Sequence, residues 1–102
     1  MIRINKTPEF EEWLSSLRIQ EQAQIEARLY RIQTLEHFGD CKSLQGTANA
    51  ISELRWNNGL RVYFSREGRS TIRLLLGGLK NGQKKDIKKA GLLLRKYAYC
   101  KK

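Results

Sequence analysis

The stretch AISELRWNNGLRVYFSREGRSTIRLLLGG, residues 50–78, decides the fold. Its side chains alternate with a period of two. Leu54 and Trp56 oppose Glu53 and Arg55, and Val62 and Phe64 then oppose Arg61 and Tyr63. Asn57-Asn58-Gly59 and Arg66-Glu67-Gly68-Arg69 are turn chemistry, so Leu60–Ser65 and Thr71–Leu76 each fold back on the segment before. Ile72, Leu74 and Leu76 form the inward set of the third strand, and Gly77-Gly78 ends it. The pattern predicts a three-strand antiparallel meander with one apolar and one polar face.

Working outward, Met1 to Asn5 alternates Ile2 and Ile4 with polar residues and reads as a short N-terminal strand. Thr7-Pro8-Glu9 is a helix start: a capping hydroxyl, a proline suited to the first helical position, and acids facing the positive end of the dipole. Phe10, Trp13, Leu14 and Leu17 then make one apolar stripe. A second helix, about Gln20 to Glu36, places Ile25, Leu29, Ile32 and Leu35 on one side, which predicts an antiparallel helical hairpin closed by Gly39 in a left-handed conformation. After the meander, a C-terminal helix from about Gln83 to Ala98 carries Ile87, Ala90, Leu94 and Tyr97 at helical spacing. The fold class is α+β, with the helices expected on one face of the sheet.

The whole length, 1–102, is room for one small domain. With 40% hydrophobic and 29% charged residues and a single proline, it is neither disordered nor collagen-like. No apolar run approaches the roughly 18 residues that span a bilayer, and Met1-Ile2-Arg3-Ile4 is too short and polar for a signal peptide. The expected location is therefore the cytoplasm, with no membrane partner and with Cys41 and Cys100 as reduced thiols. Neither cysteine has a second Cys or His at a metal-ligand spacing, so no metal site is expected.

Twenty Lys and Arg against ten acids give a formal net charge of +10, unevenly spread. Residues 1–40 carry −2, residues 41–78 carry +4, and residues 79–102 carry +8. Clustered cations of this density suit a polyanion, because neutralised phosphates release counterions. An acidic protein can use the same patch. On the polar sheet face, period two gathers Glu53, Arg55, Arg61, Tyr63 and Arg73, since neighbouring strands lie only ~5 Å apart. Guanidiniums so close need an anion or carboxylate among them. A bidentate fork fits phosphate, and Tyr63 offers a ring on which a base can stack. Lys80 follows Gly77-Gly78 as a further cation aimed at this face, and Lys42 lies in a polar loop within reach of a phosphate. Lys84, Lys85, Lys88 and Lys89 on the last helix complete the candidate RNA-contacting set. His37, the sole histidine, ends a helix and complements its dipole; Trp13 and Trp56 read as core.

There is no phosphate-binding glycine loop ending in Lys-Ser/Thr, no Asp/Glu cluster for magnesium, and no Ser/His/Asp set. An enzyme built on these residues would act on RNA without cofactor or metal. The RNA's own 2′-hydroxyl would attack phosphorus while the protein supplies geometry and positive charge.

The segments Phe38-Gly39-Asp40-Cys41-Lys42-Ser43-Leu44, Glu53-Leu54-Arg55, Gly59-Leu60-Arg61-Val62-Tyr63-Phe64, Gly77-Gly78-Leu79-Lys80 and Lys85-Asp86-Ile87 resemble the RelE/ParE toxin superfamily. Within it they look most like the HigB-like addiction module killer proteins. The resemblance implies a RelE-like fold, a cognate antitoxin that is often a helix-turn-helix protein, and, for the RelE and HigB branches, cleavage of mRNA in the ribosomal A site. It also implies catalytic roles for Arg61 and Lys80, with Arg55 beside them. The ParE branch implies instead inhibition of DNA gyrase, and a non-catalytic basic module is the third alternative. Two departures bear on the chemistry. Ser52 and Glu53 stand where RelE-type enzymes carry lysines, and no tyrosine lies at Asp86-Ile87, which leaves Glu53 or Lys80 as general base.

Overall fold

The structure is a computed structural model that describes residues 1–44 and 51–99. Residues 45–50 and 100–102, Cys100 among them, lie outside the described residues. The elements run β1 (Arg3–Lys6), α1 (Pro8–Ser15), α2 (Ile19–Leu35), β2 (Cys41–Ser43), β3 (Ile51–Arg55), β4 (Leu60–Arg66), β5 (Thr71–Leu79), a short 3₁₀ turn (Lys80–Gly82) and α3 (Gln83–Tyr99). One five-stranded sheet has the order β1-β5-β4-β3-β2. The β3-β4-β5 meander is antiparallel, and β1 adds to β5 in parallel. The fold class is α+β, as the sequence predicts.

Thr7 shows how sequence sets the first helix. Its Oγ1 accepts from the Phe10 amide at 3.0 Å and donates to the Leu75 carbonyl at 2.8 Å. One buried hydroxyl thus caps α1 and fastens it to β5. Phe10 and Leu14 of α1 and Ile25, Leu29 and Ile32 of α2 then pack with Leu54, Val62, Phe64, Ile72 and Leu74 in the larger core. Burial of each such side chain stabilises the fold by about 1.5–3 kcal/mol before entropy is counted.

Five expectations need correction. The helices do not share one face: α3 lies on the other, where Ala90 and Leu93 meet Ile51, Tyr63, Leu75 and Leu76 in a second core. The polar face is therefore roofed. Leu76 does not join Ile72 and Leu74, because a bulge intervenes: Phe64 pairs with Leu74 but Tyr63 with Leu76. The extra residue, Leu75, reverses the parity of everything after it. Gly77-Gly78 does not end the strand, which runs on to Leu79. Finally, α2 closes on Glu36, itself left-handed at φ 56°, and Gly39 takes its positive φ beyond the helix. The Lys42 segment, expected as loop, contributes β2, whose Lys42 stands opposite Glu53.

Candidate nucleic-acid interface at the end of the sheet

Strand register brings the polar residues of β3 and β4 together as period two requires. Glu53 pairs with Tyr63, Arg55 with Arg61, and Arg61 with Gly78. Under the start of α3, however, this set is a closed network. Glu53 is only 1% exposed, and its Oε2 accepts from Gln83 Nε2 at 2.6 Å. The same oxygen stands 3.5 Å from Arg61 Nε. Arg61, 8% exposed, also donates through Nη1 to the carbonyls of Trp56 at 3.1 Å and Leu60 at 2.9 Å. An arginine so buried needs a carboxylate, and Glu53 supplies it.

Tyr63 is fully buried, which corrects the expectation of a ring offered to a base. Burial, with the Glu53 and Asp86 carboxylates nearby, pushes its hydroxyl far above the ordinary tyrosine range. It stays neutral at any physiological pH. Asp86 approaches through a gap that only glycine leaves: a Cβ on Gly78 would overlap its carboxylate. Burial raises the Asp86 pKa, while Lys89 and Lys85 pull it back.

At the end of the sheet, around the β3–β4 turn, the exposed Lys80 and the half-buried Arg55 stand outside this network. The Lys80 amide donates to Gly59 O at 2.9 Å, anchoring the 3₁₀ turn to that hairpin. Gly59 has a φ of 97°, which the tight turn requires. Here Lys80 lines a cleft of about 340 Å³ with Asn57, Asn58, Gly59, Leu79 and Asn81. A second cleft, of about 380 Å³, shares Asn57 and Asn58 and is completed by Gln24, Arg28, Asp40, Arg55 and Trp56. The two meet at Asn57 and Asn58 of one turn. Arg55 and Lys80 are thus rim residues, and Arg61 sits behind the turn that they flank.

The remaining candidates divide. Lys84, Lys85, Lys88 and Lys89 are exposed on α3, and Lys42 is exposed on β2. Arg73 is elsewhere: Glu67 grips it with contacts of 2.6 and 3.3 Å, and its guanidinium lies 5.9 Å from the Tyr97 ring. His37 is exposed just past α2. Trp13 packs on Gly77, whereas Trp56 is only half core, because Arg28 lies 4.2 Å over its ring at the cleft.

Sequence reading missed Gln83, Asp86 and Arg28. Asp86 carried a signal, being the one acid among residues 79–102. A lone carboxylate amid nine cations, one helical turn from Gly82, marks a place where the helix turns inward rather than toward solvent. Arg28 carried none, since its partner Trp56 is distant in sequence. Among the described residues no group of His, Cys, Asp and Glu is placed to hold a metal ion, and no helix is long and apolar enough to cross a membrane.

This combination of a meander, a parallel N-terminal strand and helices on both faces is the fold of the RelE toxins. The chain is similar to the toxin–antitoxin complex RelBE2 of Mycobacterium tuberculosis, with a TM-score of 0.65 and 14% identity over 76% of this chain and 96% of that one. The intact Escherichia coli RelBE complex gives 0.64 at 10% identity, covering 78% and 96%. A double arginine-to-alanine variant of E. coli RelE in the free state gives 0.62 at 11%, covering 89% and 94%. No family model matches the sequence. At the level of sequence, the chain belongs to one family with an uncharacterised protein of Haemophilus influenzae. The two are 42% identical over 95 residues, which cover 90% of this chain and 92% of that protein.

Proposed function

We propose that this protein is the toxin of a toxin–antitoxin pair and that it arrests translation by cutting mRNA on the ribosome. The observation that carries the reading is the joining of a RelE toxin fold to a cationic sheet end, where Arg55 and Lys80 flank the turn behind which Arg61 is held. A net charge of +10 and exposed lysines on α3 suit a ribosomal and messenger RNA surface. The antitoxin is expected to mask the sheet end or to dock beside α3.

The chemistry needs no metal. The 2′-oxygen of a bound nucleotide bonds to the adjacent phosphorus as its proton passes to solvent. The bond to the 5′-oxygen breaks, and that oxygen leaves with a proton from Lys80, yielding a 2′,3′-cyclic phosphate and a 5′-hydroxyl. Arg61, held behind the turn, lends positive potential to the charge that builds on the non-bridging oxygens, and Arg55 positions the neighbouring phosphate. Glu53 is a positioning residue for Arg61 rather than the base, because it is buried with Gln83 and Arg61 both on its Oε2.

Induced expression in a host lacking the antitoxin tests the assignment. The wild type should halt growth and protein synthesis, and Arg61→Ala or Lys80→Ala should each restore growth while the purified variants keep the native circular dichroism. Growth arrest that survives in both variants would overturn the mechanism. Loss of DNA supercoiling with translation intact would assign the toxin to gyrase instead.

A further inference from the structure

The cleft between α2 and the β3–β4 turn has a use that the cutting chemistry leaves unassigned. Its centre is Arg28, half-buried, stacked 4.2 Å over Trp56 and tied by Nη1 to the Asp40 carbonyl at 3.3 Å. A Cβ at Gly39 would come within 3.4 Å of the same guanidinium, so the backbone there runs close to it beside the ring and the hydrogen bond. Only one of its donors is spoken for among the described residues, and a guanidinium has five. A fork fixed in this way loses little freedom on gripping a phosphate, and burial lowers the Arg28 pKa by disfavouring its unpaired charge. Arg55 lines the same cleft and has its backbone amide on the same Asp40 carbonyl, at 3.0 Å. Asp40 is also in the lining, and the two arginines outnumber its single negative charge.

Across the cleft, Asn58 Nδ2 donates to Gln24 Oε1 at 2.9 Å. This bond joins α2 to the turn and leaves the Nε2 donors of Gln24 and the Oδ1 acceptor of Asn58 on the same pair of carboxamides. A donor–acceptor pair on carboxamides is the complement of a base edge. The volume, about 380 Å³, is of the size a small-molecule site takes.

We infer that this cleft is a subsite for one nucleotide of single-stranded RNA, whose phosphate Arg28 and Arg55 hold and whose base edge Gln24 and Asn58 read. The inference rests on the RNA-directed reading above and adds to it the place where sequence preference is set. Because the cleft shares Asn57 and Asn58 with the Lys80 cleft, the bound nucleotide is a near neighbour of the one that is cut.

The probe is a hexanucleotide of 2′-O-methyl RNA, which cannot be cleaved because its attacking hydroxyl is blocked, titrated into the full-length protein by fluorescence anisotropy. Arg28→Ala should weaken binding about tenfold and reduce the salt slope by about 0.7, the value of one lost single-strand phosphate contact. Arg28→Lys should stay weak, since an ammonium has no plane to stack on Trp56. Asn58→Leu should reorder the preference among A, C, G and U hexamers while keeping the salt slope. Native circular dichroism guards against misfolding, and Arg55→Ala is a second test should Arg28→Ala fail to fold. Hexamer binding within about twofold of wild type in both arginine variants overturns the subsite. So does RNA binding that is unchanged while the grip on the antitoxin is lost. A wild type that binds the hexamer through Arg28 yet leaves ribosome-bound message intact supports the subsite and overturns the nuclease reading alone.

Discussion

At the scale of single residues, the paired glycines of β5 show how an absent side chain does structural work. Gly77 lies under the Trp13 ring and Gly78 under the Asp86 carboxylate, and a Cβ at either position would overlap its neighbour. They face opposite ways because adjacent residues on a strand do, and the bulge at Leu75 sets which glycine meets which helix. Gly91, inside α3, has nothing near its missing Cβ. Gly77→Ala should therefore destabilise the fold by about 1–3 kcal/mol, as overpacking does, and Gly91→Ala should stabilise it by about 0.5–1 kcal/mol, as helix propensity dictates. Urea unfolding checks both signs, and equal shifts would contradict the packing described. Sequence inspection finds Gly77-Gly78 easily but misreads it as a stop, because the tryptophan and the aspartate that need the space come from distant segments.

At the scale of elements, the meander was legible because both turns carry Gly, Asn or Asp-like chemistry and period two holds through β3 and β4. The parity of β5 was not. Leu74-Leu75-Leu76 is apolar on every register, so alternation cannot reveal a bulge within it. Nor was the seat of α3 legible, for its apolar stripe fits either side of a sheet equally well. What holds the later part of α3 is a contact with α1. The Tyr97 hydroxyl donates to Glu9 Oε1 at 2.8 Å, and Lys96 Nζ reaches Glu9 Oε2 at 3.3 Å. Desolvation pushes the Glu9 carboxyl up, but the Tyr97 hydroxyl, a backbone hydrogen bond and Lys96 together outweigh it and hold the group below its ordinary 4.5. A carboxylate whose pKa is lower folded than unfolded contributes stability above its unfolded value and loses it as pH falls through the folded one. The melting temperature of wild type should therefore exceed that of Glu9→Gln at neutral pH, and the gap should close below about pH 4. A gap that is constant from pH 7 to pH 3 would place the stabilisation elsewhere.

At the scale of the whole molecule, charge and fold divide the labour. The first forty residues carry −2 and supply α1 and α2, which cover one sheet face; the last quarter carries +8 and supplies the helix that roofs the other. The basic composition pointed to a polyanion, but not to where it would lie. Period two gathered Glu53, Arg61 and Tyr63 correctly, and their burial depends on a helix thirty residues further on. Of the candidate RNA contacts, those left accessible are Lys80 and the half-buried Arg55 beside the Asn57-Asn58-Gly59 turn, Lys42 on β2, and Lys84, Lys85, Lys88 and Lys89 on α3.

The claim that this arrangement serves RNA cleavage is tested most directly by primer extension on a message carried by programmed ribosomes, incubated with purified protein in the presence of a metal chelator. New stops should appear in the message only when ribosomes and wild-type protein are both present, and should vanish with Arg61→Ala. An uncut message under those conditions, from a preparation that still halts growth when expressed, would contradict the account.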